Sequence, residues 1–428
     1  MSSFLLKENR LFKEKYYYTT LKSGLKIIVI PKDLPTAVAF LCCDFGGADV
    51  EYVFDGKTYT LPYGTAHFLE HKMFESAQGE DAFLEYDKYG GNANAFTSYD
   101  NTCYYFSCAD NFYQNLEVLL KAVSSLHCTK KSVAKENKII AREITMYEDL
   151  PNSNLNRNLH GGLYFNNPTV MPISGRIEDI NQITVDTLYQ AYNHFYMPSN
   201  LCLCVCGNVD MDKVLEYAEK YFGTYKGERP KTIFKPEPLA VKEKTVSQRA
   251  IVATPLYSIG IKFPAPKSTN IEWQRQSTAM RLAVSLLFGR ASDFYCNNYE
   301  QGIINERFYA GYHTSRSTSY ILISGSGSQQ ELLTQRALKE IERRKADFFT
   351  DEQIKREINA AYAESITLFD NSEDLAAAVA SSAFLDFDEF DCIDILRQIT
   401  PAEIKEALNS IDTTNLTVSV IERSGDIC

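Results

Sequence analysis

Two similar segments, each a predicted helix that leads into a predicted strand, lie about half a chain apart in this 428-residue sequence. They constrain its fold more than any other feature. In the first, Ile183-Thr184-Val185-Asp186 leads through a predicted helix to Asn200-Leu201. In the second, Ile399-Thr400-Pro401-Ala402 leads in the same way to Asn415-Leu416. The offsets are 399 − 183 = 216 and 415 − 200 = 215 residues, as expected for a duplicated strand-and-helix unit. We therefore predict two homologous domains, although chance similarity of two helix–strand junctions would produce the same pattern.

A segment without hydrophobic periodicity separates the predicted domains. Residues 225–247 are rich in Pro and Lys, which is typical of a linker. This predicts an N-terminal domain at residues 1–224, a linker at 225–247 and a C-terminal domain at 248–428. Strand-like and helix-like segments occur in both halves, so the predicted fold class is α+β. Each domain is expected to be an α/β sandwich in which helices back a mostly antiparallel sheet.

The charge balance and the apolar pattern exclude several classes of protein. The chain has 44 Lys and Arg against 55 Asp and Glu, a net charge of −11, and no basic block that could hold a phosphate backbone. No stretch approaches the roughly 18 apolar residues of a membrane span, and the amino terminus lacks the pattern of a signal peptide. We expect a cytoplasmic protein with neither nucleic-acid nor membrane partners.

The eleven cysteines predict buried thiols. Three of them alternate along the apolar run Leu201–Cys206, and the pattern Cys-x-x-Cys does not occur. A disulfide scaffold is not expected in a chain of this length, and a thiolate zinc site has little support. We therefore expect the cysteines to be reduced.

The pattern His67-Phe68-Leu69-Glu70-His71 lies in a predicted helix that begins near Gly64. Residues i and i+4 share a helix face, so His67 and His71 can bind one ion with Glu70 beside them. Zinc suits imidazole nitrogen, and the order H-x-x-E-H is the inverted zincin motif. A catalytic zinc site leaves a position for water, for which Glu70 is placed as general base. The alternative is an amphipathic helix that carries two of the six histidines by chance.

A second predicted helix, Val133–Glu148, offers a third ligand. Glu136 and Glu143 are seven residues apart and therefore share a face. Glu143 could ligate the ion, while Glu136 lies behind it as a carboxylate that orients a ligand or contacts substrate. Alternatively, both are ordinary solvent-exposed glutamates.

Alternating residues at 94–108 predict a hairpin that turns at Tyr99-Asp100-Asn101. An edge strand beside a metal can pair with an extended peptide and present its carbonyl to the ion. The candidate substrate-binding residues are Asn94, Ala95, Phe96 and Thr97, of which Asn94 could hydrogen-bond the substrate backbone. The alternative is a hairpin strand without a binding role.

Three motifs in this order resemble the pitrilysin family, which includes insulin-degrading enzyme and the mitochondrial processing peptidase. They are H-F-L-E-H, G-G-N-A-N-A-F-T-S-Y-D-N-T-C-Y-Y-F from Gly90 to Phe106, and E-N-K-I-I-A-R-E from Glu136 to Glu143. The resemblance covers nearly the whole chain and is closest to the bacterial YmfH-type members.

The resemblance implies a role for each candidate residue. Zinc would bind His67, His71 and Glu143, with Glu70 as general base and Glu136 as a further catalytic acid. Glu143 follows His71 by 72 residues, a few fewer than the family pattern, whereas Glu148 follows it by 77. Only Glu143 has a glutamate seven residues upstream, so it is the preferred ligand.

The resemblance also implies a zinc metalloendopeptidase that cleaves unstructured peptides. Because the family builds a clam-like chamber from four such domains, a two-domain chain would supply half of it. The chain would then pair with itself or with a related subunit lacking the motif. The second half has one histidine, His313, and cannot hold an equivalent site; its Arg307 and Tyr309 match the family's substrate-contacting Arg and Tyr poorly. The alternative function is a non-catalytic peptide-binding or assembly subunit.

Overall fold

The chain forms two compact units, each assembled from three separate segments. A computed structural model describes residues 3–9, 12–75 and 82–424. The first unit comprises Met1–Ile144, Met171–Ile233 and Ile366–Phe390. The second unit comprises Thr145–Val170, Phe234–Ser365 and Asp391–Cys428. The continuous domain boundaries expected from the sequence stay a prediction, and the units are described here by these segments.

The strands of the described residues are numbered in chain order. They are β1 (Leu5–Asn9), β2 (Glu14–Thr20), β3 (Lys26–Pro31), β4 (Ala37–Cys43), β5 (Glu51–Phe54), β6 (Lys57–Thr60), β7 (Asn92–Thr97), β8 (Thr102–Cys108), β9 (Leu201–Gly207), β10 (Lys231–Thr232), β11 (Thr245–Ala250), β12 (Leu256–Lys262), β13 (Tyr309–Thr314), β14 (Ser319–Ser326) and β15 (Leu416–Arg423).

The α-helices are numbered in the same way, and three short 3-10 helices occur at Pro168–Val170, Pro198–Asn200 and Leu368–Asp370. The α-helices are α1 (Thr65–Met73), α2 (Ala82–Tyr89), α3 (Phe112–Ser124), α4 (Lys130–Glu148), α5 (Pro151–Leu163), α6 (Ile177–Ile180), α7 (Val185–Phe195), α8 (Met211–Phe222), α9 (Ile271–Phe288), α10 (Asp293–Glu300), α11 (Gln330–Ala346), α12 (Asp351–Thr367), α13 (Ser372–Ser382), α14 (Glu389–Gln398) and α15 (Pro401–Asn409).

The first unit is built on a seven-stranded sheet in the order β1-β2-β3-β9-β4-β8-β7. Strands β3 and β9 are parallel, and the other neighbours are antiparallel. Alternate residues of the central strands, such as Leu41 and Leu203, join Phe68 of α1, Ile140 of α4 and Leu188 of α7 in one buried core. This core fixes α1 and α4 on the same side of the sheet.

The second unit repeats the central topology of the first. Its sheet has the order β11-β15-β12-β14-β13, with β11 and β15 parallel and the remaining pairs antiparallel. This is the arrangement of β3-β9-β4-β8-β7. The repeated sequence junctions match as well, because Thr184 caps α7 and Thr400 caps α15, each in a capping box that Thr187 and Glu403 respectively complete. The two-domain α/β architecture predicted from the sequence is therefore confirmed.

Each unit includes one helix from the opposite half of the sequence. In the first unit, α13 packs against β4 and β9. In the second, α5 packs against β11, β12 and β15. Two glycines permit the close approach of α5: a Cβ at Gly162 would lie 2.5 Å from Thr417 Cγ2, and one at Gly260 would lie 2.9 Å from Leu163 Cδ1. Helix α5 was not predicted from the sequence; it begins at Pro151, a residue that the first turn of a helix tolerates.

Two local expectations differ from the structure. The cysteines are not all reduced, because Cys42 of β4 and Cys103 of β8 form a disulfide. These residues are directly opposite each other in the antiparallel ladder, a pairing that depends on strand register and that Cys spacing cannot reveal. The predicted linker includes β10, which pairs with β5, and the start of β11.

None of the helices in the described part of the chain has the length and apolar character that a membrane span requires.

Candidate metal centre

Helix α1 presents the predicted motif on its half-buried side. It starts after Gly64, whose φ of +85° is in the left-handed region and whose added Cβ would lie 2.3 Å from Ser174 O. Phe68, Leu69 and Met73 of α1 are buried in the core of the first unit. Since the helix turns every 3.6 residues, the motif's two histidines and its glutamate project from the remaining face.

Helix α4 places two glutamates beside the histidines of α1. Val133, Ile140 and Ile144 bury its apolar stripe in the same core. Glu136 and Glu143 are half-buried on the face that meets the histidines.

One carboxylate lies between the two imidazoles. His67 Nε2 is 3.5 Å from Glu143 Oε1, and His71 Nε2 is 3.5 Å from Glu143 Oε2. The three residues each offer a ligand atom within 4.8 Å of the others. Zinc bonds of about 2.0–2.1 Å in tetrahedral geometry separate neighbouring ligand atoms by about 3.4 Å. The two nitrogen–oxygen separations, which end on different oxygens of Glu143, are close to this value.

Glu136 contacts the outer nitrogen of one histidine. His71 Nδ1 donates to Glu136 Oε1 at 3.0 Å, which leaves Nε2 of the same ring for an ion. A carboxylate in this position fixes the tautomer and orientation of a ligating histidine. By contrast, Nδ1 of His67 is buried and has no hydrogen-bond partner within the described residues. Glu136 is thus placed to position a ligand.

The site concentrates negative charge around two imidazoles. Burial lowers the pKa of His71, but the hydrogen bond to Glu136 and the charges of Glu70, Glu136 and Glu143 outweigh it and raise the net pKa above its usual value. The hydrogen bond from His67 lowers the pKa of Glu143 against the opposing effect of burial, and the charges of both histidines add to it. Three carboxylates around two nitrogen ligands form an environment that a divalent cation would neutralise.

Glu70 is held by the neighbouring strand. Thr97 Oγ1, at the end of β7, donates to Glu70 Oε2 at 2.6 Å. Thr97 was predicted to contact substrate, and its bond to Glu70 was not predicted from the sequence. The period-two alternation of β7 contained the signal, because it places Ala95 and Thr97 on the α1 side of the sheet and Asn94 and Phe96 on the other side.

The strand predicted to bind peptide is at the edge of its sheet. Among the described strands, β7 pairs only with β8. Asn94 Oδ1 accepts a hydrogen bond from the backbone N–H of Ala95 at 2.8 Å, and Phe96 is exposed. The edge position required for β-strand addition is therefore present, and the substrate roles of Asn94, Ala95, Phe96 and Thr97 stay predictions.

The other candidate residues lie in the second unit. Glu148 is outside the His67–His71–Glu143 group and is 4.0 Å from Arg157 Nη1. The Tyr309 hydroxyl is 3.1 Å from His313 Nε2. Arg307 is exposed.

Comparisons with protein families match both halves of the chain. Residues 56–175 match the insulinase family (peptidase family M16), and residues 182–361 match the peptidase M16 inactive domain. The first match contains the H-x-x-E-H motif and both α4 glutamates. The second begins just before the repeated junction and covers most of the second half.

Individual relatives match nearly the full chain. The uncharacterized zinc protease YmfH of Bacillus subtilis is 31% identical over 425 residues, which cover 96% of this chain and 97% of that protein. A crystal structure described as an M16-like peptidase from Alicyclobacillus acidocaldarius has a TM-score of 0.91 and 26% identity, covering 96% of this chain and 99% of its own. A protease structure from Helicobacter pylori, at 21% identity, shares the fold with a TM-score of 0.81 over 96% of this chain and all of its own.

Proposed function

Since this chain belongs to the insulinase family of M16 peptidases, we propose that it is a zinc-dependent endopeptidase that hydrolyses unstructured peptides. The observation that carries the proposal is the convergence of His67, His71 and Glu143 on one small volume beside the Glu70 carboxylate. The donor set of two imidazoles and one carboxylate is typical of catalytic zinc, and the name of YmfH as a zinc protease is consistent with it.

In this proposal His67, His71 and Glu143 hold the ion. Bound zinc supplies Lewis acidity, which lowers the pKa of water toward neutrality and polarises a carbonyl. Glu70 takes the proton from the attacking water and passes it to the leaving amine. Glu136, through Nδ1 of His71, keeps that ring oriented and its Nε2 available.

The edge of β7 supports an extended peptide as substrate. A peptide that adds to an open edge must be unfolded along several residues, because its backbone supplies the hydrogen bonds. This requirement favours flexible chains over folded proteins. The proposal includes pairing with a second copy or with a related subunit that lacks the motif.

The competing function is a non-catalytic peptide-binding or assembly subunit. The match of the second half to the inactive M16 domain is the observation that favours it. Such a subunit has no need for a general base, so the role of Glu70 separates the two functions.

The test combines zinc analysis with hydrolysis of a fluorogenic peptide library by wild type and Glu70→Gln. We expect about one zinc per chain in both proteins, with a 10²- to 10⁴-fold lower kcat in the variant, because general base catalysis is lost. The matched control is Glu85→Gln on α2, whose carboxylate is 4.0 Å from exposed Lys121 and outside the site. It should retain wild-type zinc and activity.

Each contrary result has a defined meaning. Bound zinc without cleavage that depends on Glu70, also after addition of any co-purifying homologue, would favour the non-catalytic subunit. A chain that binds no zinc would contradict both the metal site and the peptidase.

A further inference from the structure

A single hydrogen bond joins the edge strand to the proposed general base. Thr97 Oγ1 donates to Glu70 Oε2 at 2.6 Å, and the Glu70 side chain has no other hydrogen bond within residues 3–9, 12–75 and 82–424. The bond occupies one carboxylate oxygen and leaves Oε1 to take a proton. The orientation of this carboxylate therefore depends on the threonine hydroxyl.

The backbone that carries this hydroxyl is firmly held. Thr97 is paired with Thr102 through the backbone where the hairpin closes, and the backbone N–H of Ser98 donates to Asn101 O at 2.8 Å. The backbone N–H of Gly47 donates to Ser98 O at 2.9 Å in the turn that follows. Because threonine is β-branched, it has few χ1 rotamers, so the hydroxyl is presented from a fixed position.

We propose that Thr97 is a positioning residue that holds the Glu70 carboxylate toward the histidine pair. This inference rests on the proposed peptidase function and assigns Thr97 a role other than peptide binding. Its side chain lies on the α1 side of the sheet and its bond is to Glu70. Without the Thr97 hydroxyl, the Glu70 side chain can adopt other rotamers. Its carboxylate is then less often in the orientation that accepts a proton from water. A displacement of about 1 Å in a catalytic group can lower the rate about 100-fold.

The experiment compares three variants of the full-length zinc-loaded protein. Thr97→Val keeps the side-chain shape and removes the hydroxyl, and Thr97→Ser keeps the hydroxyl. Thr102→Val is the matched control, because it removes a buried hydroxyl from the same hairpin without touching Glu70. We expect Thr97→Val to lower kcat about 10- to 100-fold with KM within about twofold of wild type and unchanged zinc content. Thr97→Ser should stay within about threefold of wild type, and Thr102→Val should lower thermal stability while retaining kcat.

A substrate contact would give another pattern. A higher KM with unchanged kcat in Thr97→Val would overturn the positioning role in favour of peptide binding. Equal losses of kcat in Thr97→Val and Thr102→Val would also overturn it, since the effect would then come from the hairpin as a whole.

Crystal structures of the same zinc-loaded proteins test the positioning role of Thr97 without an activity measurement. The Glu70 carboxylate should have one orientation in wild type and Thr102→Val, and a shifted orientation or several in Thr97→Val. An unmoved carboxylate in Thr97→Val contradicts the inference. If wild type cleaves no peptide, the proposed function fails, while these structures still test the role of Thr97.

Discussion

At the scale of single residues, the candidate site is organised by what each carboxylate contacts. Glu143 lies between Nε2 of both histidines, Glu136 accepts from the outer nitrogen of His71, and Glu70 accepts from Thr97. The histidine pair could be predicted because i and i+4 are neighbours on any helix. The sequence offered two glutamates as third ligand, Glu143 and Glu148, which follow His71 by 72 and 77 residues. Which of them reaches the histidines depends on how α4 lies beside α1 in the folded protein.

A graded series of glutamine variants tests these assignments. We expect Glu136→Gln to weaken zinc binding about 10- to 100-fold, the usual effect of losing a partner that orients a ligand. Glu143→Gln should weaken it further, because a charged ligand is lost, and Glu148→Gln should leave it unchanged. Zinc affinity is measured by competition with a chromogenic chelator. Loss of zinc in Glu148→Gln with retention in Glu143→Gln would reverse the choice of ligand.

At the scale of elements, helix α5 is attached to its sheet through His160, a half-buried histidine. His160 Nδ1 donates to Thr169 O at 3.1 Å, and Nε2 is 3.1 Å from the hydroxyl of Tyr320 on β14. A neutral ring satisfies both contacts, as a donor at one nitrogen and an acceptor at the other. Burial lowers the pKa of His160 to about 4, with a further contribution from His313, against the opposing hydrogen bond to Thr169.

The low pKa of His160 in the folded protein predicts a loss of stability in acid. Its pKa is lower in the folded protein than the usual 6.5 of an unfolded chain, so the unfolded state binds more protons between these values. Its contribution is complete above pH 6.5 and is lost as the pH falls toward 4. The free energy of unfolding should fall by about 2 kcal/mol more between pH 7 and pH 5 in wild type than in His160→Gln. Urea denaturation at both pH values measures this, and equal falls in the two proteins would contradict it.

At the scale of the whole molecule, the two halves exchange helical segments. Residues 366–390 belong to the first unit and residues 145–170 to the second. Helix α13 packs against β4 and β9, and Ser372 of this helix lies close to Cys206, on the sheet face opposite Leu203 and Val205. This face includes Phe40 and Cys204, which are almost fully buried. The first sheet is therefore covered on that face by a helix encoded far downstream.

The exchange predicts that the first half does not fold alone. A fragment of residues 1–224, cut at the boundary expected from the sequence, lacks α13 and would expose the apolar face that includes Phe40. We expect it to aggregate or to bind a hydrophobic dye strongly, and to recover when co-expressed with residues 225–428. Cooperative thermal unfolding of a soluble, monomeric 1–224 fragment would contradict this.

Local features of this protein follow from its sequence alone. The histidine pair and the hairpin around Tyr99 depend on residues close together in the chain, where helix and strand periodicity determine which side chains share a face. The internal repeat is visible because the same local pattern occurs twice. The tertiary structure decided which glutamate reaches the histidines, that Cys42 is joined to Cys103, and which sheet α5 and α13 cover. These contacts depend on strand register and on packing between segments that are tens to hundreds of residues apart, and one sequence contains no periodic signal for either.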